Sequence, residues 1–388
     1  MCRTYLIGEK VMKFQASKVV AILATAGLVL GGSVQPATAG STTIRFHLAG
    51  DVNVKDLWEK SLIPEFNKVY PDYEVVLTFD RNGTNDAQTL AKIIAAKLTK
   101  RDPGIDLIDG GIVTQLGAAG MLYRANAGLL PNVANVPRAL IKNGKGGIPY
   151  RASTVLLAYN SKNVKTPPKD LNSLLAWVKA NPGKFTYNAP SGGGSGGAFV
   201  QTVLDSTLSV GDYKTLVERV DKGIQAKWAK GFGILRELNK YTYGQNGTYP
   251  TNNQGTLDLL SKGLVDVAPV WSDMIASALK SGTMPKDVKV IAMTGPSFTG
   301  GPAFLGIPSM STNRDGARFL MNWLLSPAAQ NLIVAGSMNG LPVIPVSLLD
   351  PVAAANISDI DIRTLRPPYL SSNRSDMNAA WAAAVPGK

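Results

Sequence analysis

FTYNAPSGGGSGGAFV, Phe185 to Val200, joins a β-prone run to an apolar helical one through a string of glycines. Phe185, Thr186 and Tyr187 favour extended backbone. Asn188 and Pro190 break it, and Ser191, Gly192, Gly193, Gly194, Ser195, Gly196 and Gly197 follow before the apolar run Ala198 to Leu208. Glycines let backbone N–H groups approach a ligand closely, and a helix start adds unpaired N–H donors and the positive end of its dipole. Strand, glycine loop and helix together predict a cradle for an anion or polar group, formed by Ser191, Gly192, Gly193, Ser195 and Gly196. The competing reading is a flexible Gly/Ser surface loop; the helix that follows favours a site. The spacing is neither GxGxxG nor GxxxxGK[ST], so it carries no nucleotide fingerprint.

Upstream, the pattern alternates strand and helix. Thr42 to Leu48 reads as a strand ending near Gly50 and Asp51. Val54 to Tyr70 places Leu57, Trp58, Leu62, Phe66 and Val69 on one helical face, and Pro71 stops it. Tyr73 to Phe79 is a second strand with the polar loop Asp80 to Asn85, Ala87 to Leu98 a helix, and Gly104 to Asp109 a third strand closed by Gly110 and Gly111. This rhythm predicts a largely parallel sheet covered by helices, with ligands beyond the carboxyl ends of its strands. Those ends carry Asp51, Arg81, Asn82 and Asp109. Downstream, Ser153 to Asn160 is an apolar extended run long enough to cross between lobes, Pro168 to Asn181 is an amphipathic helix, and Val265 to Val270 is a strand that delivers Trp271, Ser272 and Asp273. Ala303 to Ile307 is placed to carry the chain back.

The first 39 residues read as an export leader. Lys13 and Lys18 precede the apolar run Val19 to Leu30, and Ala37, Thr38 and Ala39 supply an A-x-A cleavage site, so cleavage is expected before Gly40. Met12 offers the better-charged start. Cleavage removes Cys2, the single cysteine, which excludes a disulfide framework or thiolate metal site in the mature chain. The chain holds 40 Lys and Arg against 27 Asp and Glu, a formal net charge of +13. The basic residues are scattered among acids, so nucleic acid is not an expected partner.

Among the candidates, Trp271 and Asp273 stand just past a buried strand, where they line a cleft or else serve as core residue and helix cap. Arg151 is either an anion clamp near the crossing strand or one half of a salt bridge. Asn82, Asn85, Asn252 and Asn253 suit hydroxyl or amide recognition and equally suit turns and caps. Tyr243, with Tyr241, can stack on a ring. His47 reads as a packed residue. With one histidine, no mature cysteine and no HExxH, nucleophilic or zinc catalysis has little to work with. A glycosidase would need a carboxylate pair, and no spacing among Asp51, Asp109 and Asp273 singles one out.

Several segments taken in order carry a resemblance: IRF near the expected mature start, WEKSLIPEFNKVYPDYEV, AYNSKNV followed by PKDLNSLLAWVK, QGTLDLLSKGLVDVAPVWSD, and GIPSMSTNRDGARFLMNWLLSPAAQNLI. Together they resemble the periplasmic solute-binding proteins of bacterial ABC importers, over almost all of the mature chain. The resemblance implies an α/β, two-lobed periplasmic-binding-protein fold, each lobe a mostly parallel sheet flanked by helices, with crossing strands between them. Lobe 1 is expected over 40–152 and 303–345, lobe 2 over 153–302, and 346–388 as a C-terminal segment packing on both. It implies a periplasmic, monomeric binder rather than an enzyme, with no resident cofactor or metal, that clamps a small solute and presents it to a membrane permease and its ATPase. The branch it is most similar to carries iron, thiamine, polyamines, phosphonates or sugars. Its iron binders use adjacent tyrosines, whereas Thr242 separates Tyr241 from Tyr243 here. The glycine loop, Arg151 and the basic balance favour an anionic or phosphorylated solute; Trp271 with Asp273 favours an amine or a sugar.

Overall fold

The computed structural model describes residues 43–125, 128–355 and 362–387. The expected leader lies outside the described residues. Seven strands make up the sheet: β1 (Thr43–Gly50), β2 (Glu74–Arg81), β3 (Leu107–Asp109), β4 (Ile148–Asn160), β5 (Val267–Trp271), β6 (Val288–Ile291) and β7 (Gly300–Gly306). Their order is β2-β1-β3-β7-β4-β5, with β6 also on β4. β1 runs parallel to β2 and β3, while β4 and β7 run against their neighbours.

β4 is the crossing strand. Its first half pairs with β7 from Ile148 to Thr154, and its second half pairs with β5 and β6 from Val155 to Asn160. The hydrophobic interior divides at the same place. Ile148 and Tyr150 join a core with Phe46, Trp58, Leu305 and Leu320, whereas Val155 and Leu157 join one with Phe185, Phe199, Val267 and Trp381. Eleven consecutive residues of β4 are buried, as a strand covered on both faces requires.

The segment after β1 is helical from Val52 to Val69 but passes through a π-helical stretch, Trp58–Leu62. That wide turn adjusts the phase of the face: Leu57, Trp58, Leu62 and Phe66 are buried, while Val69, expected with them, is 56% exposed. Trp58 meets Phe46 edge-on at 4.5 Å. Around the opening stretch, Phe185 makes only single parallel bridges, to Val267 and Thr242, so the expected strand is one residue deep. The helix that follows spans Gly194–Asp205, earlier than the apolar run suggests, because glycines occupy its first turn. The C-terminal helix Ser371–Ala384 seats Met377 and Trp381 in the second core.

Candidate functional site

Residues just past the carboxyl ends of β1 and β2 face the segment that carries the glycine loop, the helix Asn253–Ser261 and the helix Ser272–Lys280. Side chains from the two sides bond each other directly. Asn253 Nδ2 donates to Asp51 Oδ2 at 2.7 Å, Asn53 Nδ2 donates to Asp273 Oδ2 at 2.8 Å, and Asn82 Nδ2 donates to the Gly192 carbonyl at 3.1 Å. Asn82 and Gly83 both adopt left-handed backbone, a turn that Asn-Gly favours and that aims the Asn82 amide across the gap. Five of the sequence candidates, Asp51, Asn82, Gly192, Asn253 and Asp273, thus lie in one cross-lobe seam.

Asp273 is 4% exposed, and its Oδ1 is buried without a partner, as is Asn53 Oδ1. Burial raises the Asp273 carboxyl above the ordinary range, with Arg151, Asn53 and the helix-start backbone N–H groups of Asp273 and Met274 acting the other way. Burial also pushes Asp51 up to about 6, against the Asn253 hydrogen bond and the more distant Arg81 and Arg151. Asp273 is the second residue of its helix, with Trp271 at the cap position, so it is not the cap that one reading expected.

Arg151 occupies a different role. Its Nε donates to Tyr150 Oη at 2.7 Å and its Nη2 to Asp109 Oδ2 at 3.2 Å, while Tyr150 donates to the same carboxylate at 2.6 Å and accepts from Trp58 Nε1 at 3.2 Å. The cluster ties the root of the crossing strand to β3. Asp109 and Arg151 are therefore paired with each other, the salt-bridge alternative of the sequence reading.

The glycine loop is packed against its own lobe. A Cβ on Gly192 would lie 1.5 Å from the Thr251 carbonyl oxygen, on Gly194 2.5 Å from the Trp271 ring, and on Gly196 1.8 Å from the Asn188 carbonyl oxygen; at Gly193, whose φ is +150°, it would lie 2.4 Å from Asn253. The helix-start N–H groups of Ser195 and Gly196 donate to Asn253 Oδ1 at 3.2 Å and Asn188 Oδ1 at 2.9 Å, and Ser195 Oγ is shared between those two amides. The donors expected to face an anion are thus held by side chains of this chain. Ser191 and Arg81 are exposed, and Tyr243 is half-buried beside the strand β5. Asn252 caps the helix Asn253–Ser261 by accepting from Gly255 N at 2.9 Å; its neighbour Asn253 is the one that reaches across.

The structure adds residues that the sequence reading passed over. Asn53 is the second residue of the helix after β1, and no local pattern separates it from an ordinary surface asparagine. Asn188 braces the glycine loop. At the lobe edge, Asp86 and Arg374 converge on Gly111, and Ser371 Oγ donates to Gln115 Oε1 at 2.9 Å, so the C-terminal helix also touches the first lobe. Among the described residues no cluster of three or more His, Cys, Asp or Glu is arranged to hold a metal. None of the described helices is long and apolar enough to cross a membrane.

The family model for bacterial extracellular solute-binding proteins matches residues 61–358. The chain belongs to that family. Protein YnjB of Escherichia coli K12 is 24% identical to this solute-binding protein over 311 residues, 77% of this chain and 78% of its own. Among solved structures, an extracellular solute-binding protein from Bordetella parapertussis superposes with a TM-score of 0.66 at 17% identity, over 88% of this chain and 97% of that one. A protein described as a spermidine/putrescine ABC transporter from Listeria monocytogenes gives 0.63 at 14% identity, over 88% and 99%. The structural likenesses establish the two-lobed binding-protein fold, and the family model the extracellular solute-binding class.

Proposed function

We propose that this solute-binding protein captures one small, amine-bearing solute between its lobes and delivers it to an ABC permease and its ATPase from the periplasm. The observation that carries the reading is the seam of Asp51, Asn53, Asn253 and Asp273. Four polar side chains from opposite lobes already meet there, and two buried oxygens, Asp273 Oδ1 and Asn53 Oδ1, have no donor. A buried acceptor without a donor is costly, and a solute ammonium would supply the missing hydrogen bonds and the compensating charge. Because such a solute touches both lobes, it favours the closed arrangement over any open one.

The anionic solute favoured by the sequence has weaker support. The glycine-loop donors at Ser195 and Gly196 are occupied, and Arg151 is paired with Asp109. Among the described residues, Asp51 and Asp273 make no ion pair with a lysine or arginine. Calorimetric titration with propylamine and with a sugar phosphate tests the choice: binding of the amine, lost in Asp273→Asn, supports the proposal. Binding of the sugar phosphate alone would contradict it. Turnover of a bound glycoside would overturn the assignment as a binder.

A further inference from the structure

Two glycines of the loop make room for asparagine amides. A Cβ on Gly193 would lie 2.4 Å from the Asn253 side chain, and one on Gly196 3.1 Å from Asn188 Cγ, whereas one on Gly197 would meet nothing closer than 4.0 Å. Asn188, Asn253 and Ser195 are all buried.

The backbone fixes which way each amide points. An N–H can only donate, so the Ser195 N–H, at 3.2 Å, sets Asn253 Oδ1 toward the helix start, and the Gly196 N–H, at 2.9 Å, does the same for Asn188 Oδ1. Asn188 Nδ2 is turned back to the Ala189 and Gly193 carbonyls, at 3.0 and 3.1 Å. Asn253 Nδ2 is turned outward, to Asp51 Oδ2 of the other lobe at 2.7 Å. Ser195 Oγ lies 2.8 Å from each of the two amide oxygens, with a single hydrogen to give. Donation to Asn253 is favoured while Asn253 itself donates to a carboxylate, because hydrogen bonds that run through one amide polarise each other.

We infer that Ser195, braced by Asn188, is a positioning residue for lobe closure: through Asn253 it makes the glycine loop present a fixed donor to the other lobe, where Asp51 supplies the acceptor. The helix-start donors thus act on an anion of this chain by way of an amide. The loop completes the same surface with an acceptor of its own, the Gly192 carbonyl that receives Asn82 Nδ2 at 3.1 Å. A fixed donor closes only on an acceptor, so the contact is polarised. Exchanging which lobe carries the carboxylate preserves it, while a carboxylate on both sides breaks it. The inference concerns the solute-free protein and holds whichever solute the cleft takes.

Small-angle scattering of the solute-free protein, above the pH range in which Asp51 titrates, tests this relay, with melting curves to confirm that each variant folds. Ser195→Ala and Asn253→Leu are each expected to raise the radius of gyration. The two together are expected to raise it no further than Asn253→Leu alone, since Ser195 acts through Asn253. Asn253→Asp is expected to open the protein by setting a carboxylate against Asp51, and adding Asp51→Asn to bring the radius back to the native value. A lower melting temperature with a native radius in Ser195→Ala would make the hydroxyl a brace of its own lobe and overturn the inference. So would a native radius in Asn253→Leu, or an exchanged pair as open as Asn253→Asp alone. Should the exchanged protein not fold, the Ser195 and Asn253→Leu variants decide by themselves.

Discussion

At the scale of single residues, side chains that hold the protein together differ from those proposed to hold a solute. Arg151 belongs to the first group. Removing it leaves the buried Asp109 and Tyr150 facing each other without their cation, so Arg151→Met is expected to cost about 3–5 kcal/mol in denaturant unfolding. An unchanged midpoint would contradict that. Asp51 is proposed to belong to the second group, and its pH behaviour has a definite sign. Burial raises its folded-state pKa to about 6, above the ordinary value near 3.8, so the folded protein holds a proton that the unfolded chain gives up across that window. Its unfavourable contribution is therefore absent below the window and complete above it, and stability falls as pH rises through it. Asp51→Asn is expected to raise the melting temperature at about pH 7 and to leave it unchanged at about pH 3.5, while weakening amine binding by about tenfold. The sequence marked Asp51 and Asp273 because they follow predicted strands. It could not rank Arg151 between clamp and salt bridge, because the choice depends on Asp109, 42 positions away. Asn53 carries no local signal at all, since its partner Asp273 comes from the far side of the fold.

At the scale of elements, the glycine-rich stretch was legible as strand, loop and helix, but the reason for its glycines was not. Composition shows only that side chains are missing. The packed structure shows what fills the space: the Thr251 and Asn188 carbonyls, the Trp271 ring and the Asn253 amide. This yields a paired prediction within one helix. Gly196→Ala forces a methyl into the Asn188 carbonyl and is expected to destabilise by about 1–3 kcal/mol. Gly197→Ala meets nothing closer than Pro190 at 4.0 Å and is expected to be neutral or to stabilise by about 0.4–1 kcal/mol. Equal effects in thermal unfolding would mean that the loop is flexible, as the competing sequence reading had it. The helix after β1 shows the same limit from another side: its apolar face was evident, but the π-helical stretch that turns Val69 out to solvent follows from packing against Phe46 and Tyr150 rather than from spacing.

At the scale of the whole molecule, the order of segments was the most informative feature, because a chain that leaves one lobe and returns must place crossing strands at fixed points along its length. β4 and β7 are those strands, and the division of the cores between Tyr150 and Val155 follows from them. The solute was less legible, since it depends on which polar groups remain unsatisfied after folding. The seam also implies that closure is partly built in: Asn253, Asn53 and Asn82 join the lobes directly. Asn53→Ala with Asn253→Ala is expected to raise the radius of gyration in small-angle scattering of the solute-free protein, and an unchanged profile would show that these bonds do not hold the lobes together. The most direct test of the central claim is a crystal structure of the protein with the solute that co-purifies with it. The account predicts an amine nitrogen within hydrogen-bonding distance of both Asp51 and Asp273. A solute lying elsewhere, or one that places a phosphate or carboxylate against those two residues, would contradict it.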